Sequence, residues 1–107
     1  MRILAGVIIT AALATTAEAS PARLDDVAYM QAARCAGLAS SSKLGSADAA
    51  AALKAMVKNQ SGGRDFYIQD KADDLQRDAK READRADDVR KAKLTAELNG
   101  ACAALKG

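Results

Sequence analysis

The chain has no histidine and no tryptophan, one proline, two cysteines, two tyrosines and one phenylalanine. Each scarcity excludes something. Without histidine there is no imidazole base and no His-type zinc site. Two cysteines are too few for a Cys-only zinc site, no Cys-x-x-Cys pair occurs, and neither thiol has a histidine to activate it. Alternating β-branched runs are missing too, so nothing reads as a strand. The Asp pairs at 25–26, 73–74 and 87–88 sit in no Asp-x-Asp-x-Asp-Gly loop. Glu82 and Glu97 have no glycosidase context, and Gly62-Gly63 lacks a phosphate-loop pattern. No catalytic residue, cofactor or metal ligand is therefore expected.

What is present begins with an export signal. The chain opens MRILAGVIITAALATTAEAS. Arg2 gives a short positive start, residues 3–14 form an uncharged and mostly apolar run, and Ala17-Glu18-Ala19 is an A-x-A cleavage site. Residues 1–19 are expected to be a cleaved secretory signal, with Ser20 as the mature N-terminus. The run is too short to span a bilayer, which takes about 20 residues. Cys35 lies well past the cut, so a lipoprotein is not expected. The expected destination is the bacterial periplasm or the medium, with no stable membrane insertion after cleavage.

Residues 20–107 then form a single domain. Its 15 basic and 13 acidic side chains nearly balance, which gives no reason to expect nucleic acid or an anionic membrane as partner. Alanine accounts for 21 of these residues, whereas Leu, Ile, Val and Phe together number 13. A core so thin supplies no more than about 3–5 kcal/mol and needs a staple. Cys35 and Cys102 supply it: an even cysteine count in an oxidising compartment reads as one disulfide.

Ala, Leu, Lys, Arg and Gln favour helix throughout. A first helix is expected from about Arg23 to Ser40, with Leu24, Val27, Ala28, Gln31, Cys35 and Leu38 at helical spacing. Ser46 is a good N-cap for a second helix over 47–60, anchored by Leu53, Met56 and Val57. Ser61-Gly62-Gly63 ends it. The stretch that follows, through ADDLQRDAKREADRADDVRKAK, is dense in charge. It is not a self-supporting arm. Across 70–93 there are eleven attractive pairs at spacings of three and four against ten like-signed ones, and at about 0.2–0.5 kcal/mol each these nearly cancel. Ile68, Ala72, Leu75, Ala79, Ala83, Ala86 and Val89 make a narrow stripe of small residues suited to close helix packing, and the charges form its wet face.

Propensity alone would run 64–106 as one long helix, giving three helices in all. The short linkers and the Cys35–Cys102 bridge oppose this, because a chain spans at most about 3.6 Å per residue. A reversal near Asp84–Asp88 resolves the conflict. Asp87 then caps a fourth helix carrying Val89, Leu94, Leu98, Cys102 and Leu105. The expected fold is all-α, a small four-helix up-down bundle with first and last helices adjacent.

Phe66-Tyr67-Ile68 is the densest apolar cluster of the domain. With Tyr29 and Met30 it reads first as core and second as a partner surface. Asn59-Gln60-Ser61 is a glycosylation sequon, meaningful only in a eukaryotic host. The signal, ARCAGLA on an early helix and GACAALKG at the end give a layout that resembles small, Ala-rich, two-cysteine helical proteins exported by alphaproteobacteria, most of unknown function. The layout is also similar to that of the periplasmic acid-stress chaperones, which are short, helical and singly bridged. The expectation is a non-enzymatic exported protein acting through protein–protein contacts in the cell envelope, with an acid-activated holdase as the alternative.

Overall fold

The computed structural model describes residues 23–105; the expected signal and its cleavage site lie outside them. Four α-helices follow one another: α1 Asp26–Ala39, α2 Ala47–Gln60, α3 Phe66–Asp84 and α4 Asp88–Glu97. A π-helical turn, Leu98–Cys102, and a short 3-10 turn, Ala103–Leu105, extend α4. The fold is the all-α four-helix bundle, and Cys35 is bonded to Cys102 with Cα atoms 5.6 Å apart.

Three of the four helix starts carry a side-chain cap, and α1 begins at Asp26, later than the expected Arg23. Asp25 accepts the Ala28 N–H (2.8 Å), Ser46 that of Ala49 (3.2 Å) and Asp87 that of Arg90 (2.8 Å). Each satisfies a donor that a helix N-terminus leaves unpaired. The reversal expected near Asp84–Asp88 is therefore a capped break, and no single long helix forms. α2 stops at Ser61, whose N–H and hydroxyl both reach the Lys58 carbonyl. Gly63 follows with φ of 79°, a conformation that suits glycine because it has no Cβ.

α1 is the hub. α2, α3 and the π-helical turn all pack on it. Gln60, ending α2, accepts the Leu24 N–H at the start of α1, so α2 runs antiparallel to α1. Arg64, just before α3, bonds Asp26 at the start of α1, so α3 runs parallel to it. The contact surfaces are small. α1 buries Tyr29, Ala32, Ala33, Cys35, Ala36, Gly37, Leu38 and Ala39, and α3 buries Ala72, Ala79 and Ala83. The larger core side chains besides Tyr29 and Leu38 are Leu53, Val57 and Leu94.

Two expected faces are corrected. Val27, read as core, is 74% exposed. At 100° per residue it lies opposite Tyr29, Ala32, Ala33 and Ala36, which face the close-packed helices. Farther along, Cys35–Ala39 is buried on every side, so Leu38 is inside although it shares Val27's side. Val89, placed on both the third-helix stripe and the fourth helix, is 70% exposed. It falls where residues 87–93 project with all side chains exposed. Leu94, Leu98 and Cys102 do face the core. An α-helix turns residues four apart by about 40°. The wider π turn takes that rotation back and keeps Cys102 on α1.

Arg64 locks one end of the bundle. Its side chain is only 4% exposed. Nε donates to the Gln60 carbonyl (2.7 Å), one terminal nitrogen to the Leu24 carbonyl (2.6 Å), the other to Asp26 (2.7 Å). The guanidinium also lies over the Tyr29 ring, 4.3 Å from its centre. Lysine keeps the charge but not the planar fork, so Arg64→Lys is expected to lose about 2 kcal/mol, as buried carbonyls go unpaired. Asp26→Asn should lose under about 1 kcal/mol, because Asp26 is 55% exposed and surface pairs are weak. Urea unfolding of both variants checks the order.

Candidate functional site

The aromatic pair heading α3 is on the surface. Phe66 is 81% exposed and Tyr67 69% exposed. Ile68 is partly buried against the core, as are Met30 and Leu24. The core reading of this cluster thus holds for Tyr29, Met30 and Ile68 and fails for Phe66 and Tyr67. The reason is helical geometry. Ile68 and Ala72 point at α1, and neighbours one and two residues back are turned 100° and 200° away. Tyr67 has the Lys71 ammonium 5.8 Å from its ring centre. Val27 stands at the same end of the bundle, next to the Asp26–Arg64 ion pair. The apolar surface thus lies at the corner that Arg64 ties together.

A groove runs between α2 and α3, with α1 as its floor. It consists of two adjoining clefts of about 430 and 330 Å³ that share Lys54, Asp73 and Gln76. Tyr29 and Gly37 belong to the floor, Lys54 and Lys58 to the α2 wall, Arg77 and Lys80 to the α3 wall. Tyr29 is 2% exposed. Burial, then the Asp73 carboxylate, push its hydroxyl above the ordinary tyrosine range, and Arg64 partly offsets them. It therefore remains a protonated donor at neutral pH. A separate cleft of about 480 Å³ lies between the start of α2 and the π turn, against Leu53, Leu98 and Cys102.

Glu82 and Glu97 are brought together, but by an arginine. Arg34 grips Glu97 with two nitrogens (2.7 and 3.0 Å) and Glu82 with a third (3.2 Å). Arg90 holds the other Glu82 oxygen at 2.7 Å. The hydrogen bond to Glu97, against the cost of partial burial, raises the Arg34 guanidinium further, and Glu82 adds to this. The cluster joins α1, α3 and the end of α4. Carboxylates occupied in this way serve to hold helices. Nothing local in the sequence signalled it, since Arg34 lies 48 and 63 residues from its two partners.

Within the Asp pairs, Asp26 holds Arg64 across the chain. Asp25 and Asp87 cap helices, Asp74 pairs with Arg77, and Asp73 faces the groove. Among the described residues no three His, Cys, Asp or Glu side chains converge as a metal site would require. No described helix is long and apolar enough to cross a membrane. Asn59 of the sequon is exposed at the end of α2. Comparison of the chain with protein-family models, with curated proteins and with solved structures gives no match.

Proposed function

We propose that this is a non-enzymatic exported protein, periplasmic or secreted, that works by binding another protein of the cell envelope. The observation that carries the reading is the exposed Phe66–Tyr67 pair on a corner fixed by buried Arg64. Large apolar side chains grouped on a rigid surface mark contact sites more than isolated ones do. The disulfide and the signal-like first segment support export. The test replaces Tyr67 with benzoylphenylalanine in the full chain and irradiates envelope extracts of the native host. A discrete protein adduct is expected from position 67 and none from position 93, and Phe66→Ser should weaken it. Absence of any adduct, together with turnover in a small-molecule screen, would overturn the proposal.

A second reading, the acid-activated holdase, is favoured by the placement of the ion pairs. Three of them lie along α3: Arg77–Asp74, Lys80–Asp84 and Arg81–Asp78. The Arg34 cluster ties α3 to α1 and α4. Lys80, 2.9 Å away, and the Ser41 hydroxyl hold the Asp84 carboxyl below its usual range. A carboxylate with a depressed folded pKa stabilises the fold above its unfolded pKa, near 4, and that contribution disappears as pH falls through the folded value. Exposure keeps any single share small, but the pairs fail together while 15 bases stay charged. Circular dichroism and dye binding from pH 7 to 2 should show the helices loosening below about pH 4. Suppression of a client's aggregation at pH 3 would support the holdase. Loosening without protection, or a fold unchanged at pH 2, would remove it.

A further inference from the structure

We propose that the groove between α2 and α3 takes an acidic, extended peptide segment of the partner, held between Lys54 and Lys58 on one wall and Arg77 and Lys80 on the other. The inference rests on the protein-contact reading above and names the chemistry of the partner. Three observations carry it. Lys54 and Lys58 are exposed and form no ion pair with another described residue, whereas Arg77 and Lys80 are each matched by one Asp. Asp73 is the one carboxylate among the lining residues, so the groove carries an excess of positive charge on a domain that is nearly neutral. Tyr29 lies in the floor, almost fully buried, and its hydroxyl makes no hydrogen bond to another described residue.

The dimensions suit a strand-like segment. Tyr29 to Ser40 along the floor spans about 16 Å at 1.5 Å per residue, the length of roughly five extended residues. Phe66, Gln69, Asp73, Gln76 and Lys80 recur at spacings of three and four, so Phe66 stands at the mouth of the groove. An apolar side chain of the peptide would pack there, while its carboxylates meet the lysines and a backbone carbonyl accepts the Tyr29 O–H. Nucleic acid fits less well, because the domain as a whole is nearly neutral and so lacks the basic excess that phosphate backbones select.

The test uses a fluorescein-labelled peptide with one phenylalanine followed by a run of glutamates, titrated with the oxidised protein in an anisotropy assay. Binding is expected. The Lys54→Glu, Lys58→Glu pair should weaken it by at least about tenfold. The Lys91→Glu, Lys93→Glu pair, an equal charge change on the exposed part of α4, should alter it less than about twofold. Tyr29→Phe keeps the ring and should cost roughly fivefold. Thermal melts confirm that each variant is folded. No binding, equal effects of the two lysine pairs, or stronger binding of oligouridylate would overturn the proposal. The adduct from position 67 reports on the protein-contact reading separately: if it persists while the peptide fails, only the groove assignment falls.

Discussion

Replacing Cys35 and Cys102 together by alanine is expected to lower stability by about 4 kcal/mol, the chain-entropy value for a crosslink across 67 residues. In a domain of this size that lowers the melting temperature by roughly 15–30 °C. The effect is large because much of the rest of the core is alanine: the bridge fastens the π turn to α1 where few large side chains could do so. Both sulfurs are buried, Cys35 at 0% and Cys102 at 3% exposure, so reduction should proceed only as fast as the end of α4 opens. Calorimetry with and without reductant, set against the double variant, checks both statements. A loss under about 1 kcal/mol would mean that Leu94, Leu98 and the ion pairs of Glu97 and Arg90 hold the last helix in place without the bridge.

Gly37→Ala should be the most damaging single-atom addition in the helices. A Cβ at Gly37 would fall on the Gln76 carbonyl oxygen and lie 2.9 Å from the Ala79 Cβ. The obstacle is the backbone of α3, which cannot step aside as a flexible side chain could. Alanine's better helix propensity returns about 1 kcal/mol. Forcing α1 and α3 apart costs more, since every alanine contact along the seam loosens with it. A net loss of about 2–3 kcal/mol is expected in urea unfolding. Gly62→Ala is the control: a Cβ there meets nothing within 4 Å, and the change should fall within about 0.5 kcal/mol of neutral. Equal effects at the two positions would show that α1 and α3 do not approach through Gly37.

Local chemistry in the sequence determined the helices. Ser46 and Asp87 cap the second and fourth, Ser61-Gly62-Gly63 closes the second, and the 47–60 boundaries match α2. The break between α3 and α4 followed from linker length and the need for Cys35 to reach Cys102. These signals are legible because a cap or a loop span is settled within a few residues.

Which side of each helix is buried was decided by the tertiary structure. Alanine is apolar enough for a core and small enough for a surface, so an Ala-rich helix has no sharp stripe to read. The packing of α2 and α3 on α1 put Tyr29, Ala32, Ala33 and Ala36 inward and left Val27, Phe66 and Val89 outside. The Arg34–Glu82–Glu97 cluster, the Arg64 lock and the lysine-walled groove exist only because residues far apart in the chain were brought together. Charged side chains look alike in the sequence whether solvated or paired, and only the approach of a second helix determines which they become.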